Sequence, residues 1–115
     1  AIQTFTSGQV LTAAQQNALQ TNDYNWTITP KTASYSLVAA DKGTIITMTS
    51  ASATTITANT STLATGDLVK IVNLGAGACT VTSGTCTISS ASSLLLRQYA
   101  SGSLWFTSTS TAIFI

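Results

Sequence analysis

From Lys31 onward the chain is a series of short runs in which apolar and polar positions alternate. Tyr35, Leu37 and Ala39 share one parity, and Leu68, Lys70 and Val72 oppose Val69 and Ile71. A period of two residues places successive side chains on opposite faces of a strand. Runs rich in Val, Ile, Thr, Tyr and Phe predict strands at 34–39, 44–49, 54–58, 67–73, 79–82, 85–89, 93–98, 104–107 and 112–115. Turn residues separate them: Asp41-Lys42-Gly43, Ala64-Thr65-Gly66, Gly75-Ala76-Gly77, Ser83-Gly84 and Ser101-Gly102. Short strands at regular spacing predict a mainly β fold, an antiparallel β-sandwich or barrel-like domain.

Residues 1–30 read differently. The first ten mix apolar residues with Thr, Ser and Gln, as an extended arm does. One short helix is then predicted over 12–21. Thr12 and Gln15 have capping-box spacing, and Ala, Gln and Leu favour helix. Leu11, Ala14, Ala18 and Leu19 form a narrow apolar stripe, and Asn22-Asp23 ends the element. So short a helix needs a surface to pack on. Phe5, Val10, Leu11, Leu19, Tyr24 and Trp26 are the candidates for attachment and oligomerisation. Pro30 marks a boundary, which divides the chain into an arm with a helix, 1–30, and a β domain, 31–115.

Composition narrows the chemistry. The 115 residues make room for one small domain, and only seven carry charge: Asp23, Asp41, Asp67, Lys31, Lys42, Lys70 and Arg97. There is no Glu and no His, while Thr supplies 23 positions and Ser 15. At 44% apolar residues the chain is not a disordered polar tract. Without His, the usual general base and the commonest metal ligand are missing. Each of the three Asp residues sits in a turn-like context, so the expectation is no enzyme, no metal and no cofactor. A net charge of +1 gives no footprint for nucleic acid. The longest aliphatic run, Leu94-Leu95-Leu96, is far short of a membrane span. No secretory signal pattern opens the chain, and Ala1 is read as following a removed initiator Met. Strands this poor in charge leave their edges unprotected, which points to a homo-oligomer that covers them.

Four small constellations carry chemistry. Cys79 and Cys86 flank a predicted hairpin. A two-residue turn at Ser83-Gly84 would pair Cys79 with Ile88. A longer loop, or a turn at Thr82-Ser83, would oppose the two cysteines and allow a disulfide. The other reading is two small buried hydrophobes. Gly75-Ala76-Gly77 lacks the helix and Lys of a phosphate loop and reads as a turn between strands. Asn25-Trp26-Thr27 and Asn59-Thr60-Ser61 fit the glycosylation pattern, which arises readily by chance in a Thr/Ser-rich chain. Trp26, Trp105, Phe106, Tyr99 and Phe114 form either a sugar-stacking platform or, preferably, core and subunit interface. Among them Tyr99, Trp105 and Phe114 are the candidates for surface or interface positions.

The stretch Thr4-Phe5-Thr6-Ser7-Gly8-Gln9-Val10-Leu11-Thr12-Ala13-Ala14-Gln15-Gln16-Asn17 resembles the N-terminus of many small structural proteins of tailed bacteriophages. The stretches 33–43, 50–57, 66–77 and 94–115 resemble a repeating module of phage appendages. The resemblance implies a non-enzymatic virion protein, often trimeric, with no catalytic motif to carry over. One compact unit without shaft repeats fits a capsid decoration or head-fibre protein. Its arm would dock on the major capsid protein or another virion protein, and its β domain would project. Such a protein is assembled in the host cytoplasm and sits on the particle surface, without nucleic acid or membrane insertion. The competing expectation is a tail fibre or minor tail adhesin that binds a host-surface glycan or protein.

Overall fold

The computed structural model describes residues 7, 8, 10, 12–17 and 26–115. A helical turn occupies 13–17, opened by the expected capping box. The Thr12 N–H donates to Gln15 Oε1 at 2.9 Å, and the Gln15 N–H donates to Thr12 Oγ1 at 3.2 Å. The rest of the predicted helix lies outside the described residues, as do Phe5, Leu11, Leu19 and Tyr24.

The remainder is mainly β. In chain order the strands are β1 (Ile28–Lys31), β2 (Tyr35–Ser36), β3 (Ile45–Met48), β4 (Thr54–Ala58) and β5 (Leu68–Asn73). They continue with β6 (Cys79–Ser83), β7 (Thr87–Ser90), β8 (Leu95–Leu96), β9 (Ser101–Phe106) and β10 (Thr111–Phe114). Every predicted run holds a strand, although 34–39 and 93–98 keep only two residues each. β1 is additional and takes in Pro30. The ring is tolerated because β1 is an edge strand. The carbonyls of Thr27 and Lys31 accept from Ile45 and Thr49, so residues 28 and 30 turn their backbone groups away from β3.

The architecture departs from the expected antiparallel sandwich or barrel. One sheet has six strands in the order β1-β3-β5-β9-β10-β7, and the other has four in the order β2-β4-β6-β8. β1, β3 and β5 pair in parallel, and so do β2, β4 and β6. The chain passes from one sheet to the other and back, so each strand reaches its neighbour after a full circuit and runs the same way. This is the winding of a short β-solenoid. Antiparallel pairing is confined to the closing strands: β8 on β6, β9 on β5 and β10 on β9. β7 lies parallel beside β10 at the sheet edge. Alternation alone settles which side of a strand is buried; the route of the connection settles its direction.

The coils stack in register. Ile45 lies beside Lys70 and Thr54 beside Cys79, the same separation along the chain in both sheets. Between them, the corner Ser50-Ala51-Ser52 carries Gly75-Ala76-Gly77 on top of it. The Gly75 N–H donates to the Met48 carbonyl at 3.1 Å and the Gly77 N–H to the Ser50 carbonyl at 2.9 Å. A Cβ on Gly75 would collide with the Ser50 backbone, and one on Gly77 with the Ser52 carbonyl. The predicted turn is therefore a stacked corner whose glycines allow backbone to approach backbone.

Both sheets turn their apolar residues onto one core. Ile46, Met48, Val69, Ile71, Leu104 and Phe106 come from the six-stranded sheet; Ile56, Ala58, Val81 and Leu96 come from the four-stranded one. Phe114 joins them, 4% exposed, with its ring over Gly102. Its expected place at a surface or interface is thus corrected. β10 is flanked by β9 and β7, so its inner face is fully covered, and Phe114 has the inward parity. Asn73 is the core's polar member. Its Nδ2 donates to the carbonyls of Gly77 (2.8 Å) and Leu96 (2.9 Å), and its Oδ1 accepts from the Gly75 N–H at 3.0 Å. Those bonds offset the cost of burying the amide.

Candidate functional site

The six-stranded sheet has an outer face, and strand parity determines what stands on it. Leu68, Lys70 and Val72 of β5 point away from the core, as do Ser103 and Trp105 of β9 and Ile113 of β10. Register then brings Leu68, Trp105 and Ile113 side by side. The next row runs Ile28, Ile45, Lys70 and Ser103. It is extended by Ile115, which exchanges two backbone hydrogen bonds with Ser103 at 2.7 and 2.9 Å.

This face sets open apolar side chains among hydroxyl ones, with Ser89 beside Ile113 and Ser101 beside Val72. Trp105 is 44% exposed and Ile115 71%, and Ile28 and Ile113 are exposed with them. Trp26, exposed, stands just before β1 at the rim. Lys70 is the single charged residue in the two rows. Large apolar side chains exposed together in this way mark an interaction site. It offers about 25 cal/mol for each Å² it buries against a partner.

The aromatics expected to act together are sorted into three places. Trp105 and Trp26 belong to the outer face and its rim, while Phe106 and Phe114 are in the core. Tyr99 stands apart on the loop between β8 and β9, 76% exposed, with φ +67°. That left-handed backbone is uncommon for a bulky residue. It is held by the Tyr99 N–H, which donates to the Asn73 carbonyl at 2.6 Å, and by Gln98 Nε2, which donates to the Leu74 carbonyl at 3.2 Å.

The cysteines form no disulfide; both are free and buried. The hairpin that would have joined them does not exist, because β6 and β7 belong to different sheets. Of the two readings, the pair of small buried hydrophobes holds. Burial pushes both thiols up.

The described carboxylates hold turns. Asp41 Oδ2 accepts from the Tyr35 hydroxyl and the Val38 N–H, both at 2.8 Å. Asp67 Oδ2 accepts from the Ala64 N–H at 2.9 Å. Asp67 and Lys42 also line an open cleft of about 300 Å³ with Ser61, Thr62 and Thr109. Asp23 lies outside the described residues.

Sequence reasoning named Trp105 and Trp26 but missed Ile28, Ile45, Leu68, Ile113 and Ile115 as their companions. One signal was present: β5 is apolar at Leu68 and Val72 as well as at Val69 and Ile71, so both of its faces seek cover. Comparison with protein-family models, with curated proteins and with solved structures gives no match.

Proposed function

We propose that this chain is a non-enzymatic structural subunit of a tailed-phage particle, a capsid decoration or head-fibre protein. The observation that carries the reading is the apolar outer face of the six-stranded sheet. A chain with seven charges in 115 residues and such a face is suited to life within an assembly. The residues before β1 serve as its attachment and oligomerisation element, and the β-solenoid, which begins at Ile28, projects from the particle. The sequence resemblance over residues 4–17 supports the same assignment. Its work is mechanical: bridging neighbouring capsid proteins by apolar contacts, which salt screens little.

The test is to locate and count the protein on purified virions, by immunogold labelling and quantitative gel electrophoresis. A decoration protein labels the head and is present in tens to hundreds of copies. Label confined to the tail at a few copies would overturn the capsid assignment. It would favour the second reading, a tail adhesin, whose supporting observation is the exposed and backbone-strained Tyr99.

A further inference from the structure

We infer that the outer face of the six-stranded sheet is covered by the N-terminal segment of a second copy, linking copies arm to face. The inference rests on the reading of that face as an assembly surface and names its occupant.

Among the described residues, two parts of this chain leave side chains open to solvent. The first is the sheet face built on Leu68, Trp105, Ile113 and Ile115. The second is the N-terminal segment: Val10 is 81% exposed, and Thr12, Ala13 and Ala14 are exposed on the helical turn that follows. A helix of the length that the sequence predicts, 12–21, is marginal in water and gains from a surface to pack on.

The two surfaces match in chemistry. No residue from Ala1 to Asn22 has a charged side chain, and the face offers only Lys70. Bringing them together buries apolar groups and leaves one charge, Lys70, to be kept in water at the end of its long side chain. The connection also reaches. From Asn17 to Trp26 the chain can extend about 30 Å, and it enters the solenoid at β1, the strand at one rim of the face. Addition of a strand at that rim is disfavoured, because Pro30 removes one of its outward N–H groups. What remains is docking on the face.

Contact between unlike surfaces is heterologous: copies join into a ring where the rotation closes and into an open chain where it does not. It makes a prediction that face-to-face pairing does not. The full chain is studied by sedimentation velocity at micromolar concentration, with an arm variant, Val10→Asp, and a face variant, Trp105→Ser. Wild type should sediment as an oligomer. Each variant alone should associate at least tenfold more weakly while keeping its far-ultraviolet circular dichroism. An equimolar mixture of the two should form a heterodimer, since one intact arm then meets one intact face. If Trp105→Ser loses the β signal, Ile113→Ser takes its place. A monomeric wild type, an undiminished Val10→Asp oligomer, or a mixture that stays monomeric would each overturn the inference. None of these results touches virion labelling, so the two readings fail separately.

Discussion

The Tyr35 hydroxyl donates a 2.8 Å hydrogen bond to Asp41 Oδ2, tying β2 to the turn that leads into β3. Lys31 lies over the same ring, its Nζ 4.1 Å from the centroid. Burial, then the hydrogen bond, then the charge of Asp41 push the Tyr35 phenol up to about 12 from 10.0. The folded chain therefore favours the neutral phenol. Its contribution to stability is complete below about pH 10 and is lost as pH rises through about 12. Tyr35→Phe should cost about 1.5 kcal/mol at neutral pH and flatten the alkaline loss between pH 10 and 12. Urea unfolding across that range checks both. An unchanged alkaline slope in the variant would show that another group governs it.

Asn73 of β5 joins the corner Gly75-Ala76-Gly77 and β8 at one buried point. Asn73→Leu keeps the volume but removes the amide donor from the carbonyls of Gly77 and Leu96, while the Gly75 N–H keeps its bond to the Met48 carbonyl. Each unpaired buried group costs about 1–3 kcal/mol, so a loss of about 2 kcal/mol or more is expected in equilibrium unfolding. A loss below 1 kcal/mol would mean that water replaces the amide.

The stacked corner should tolerate no side chain on its upper turn. Gly75→Ala drives a Cβ into the Ser50 backbone, and a backbone neighbour cannot swing aside. A loss of about 2–3 kcal/mol is expected, at the upper end of overpacking costs. Ala76→Ser, between the two glycines and exposed, should change stability by less than about 0.5 kcal/mol. Equal effects from the two substitutions would contradict the stacking.

Both thiols are buried and pushed up by burial. The thiolate is the reactive form, so a thiol reagent at pH 8 should label neither cysteine in the folded protein and both in urea. Non-reducing electrophoresis should show no internal crosslink. Rapid labelling of the native chain would show that the core opens around β6 or the loop before β7.

Several features were legible in the chain itself. β4 spans the same residues as its predicted run, Thr54–Ala58, and the Thr12–Gln15 capping box forms as its spacing implies. Trp105 and its neighbours Leu104 and Phe106 part to opposite faces. Other features were not. Pro30 read as a boundary lies within an edge strand, and the expected Cys79–Cys86 hairpin dissolves because β7 crosses to the other sheet. A faint internal repeat did exist: Ile46, Ala51, Ala53, Thr55 and Thr57 recur as Ile71, Ala76, Ala78, Thr80 and Thr82. In a chain so rich in Thr and Ala it does not stand out from background.

The sequence by itself determined where nine of the ten strands lie, that the residues of a strand part alternately to two faces, where the helical turn begins and how little charge the chain carries. Those properties depend on the two-residue pleat and on bonds between residues a few positions apart. Only the tertiary structure decided which strands are neighbours, that most run parallel, that Asn73 is buried and that Phe114 joins the core. It also decided that Ile28, Ile45, Leu68, Trp105, Ile113 and Ile115 share one open surface. Strand pairing uses backbone groups that are nearly the same at every residue, so local pattern cannot choose among partners. The choice falls to the winding that buries both sheets on a single core.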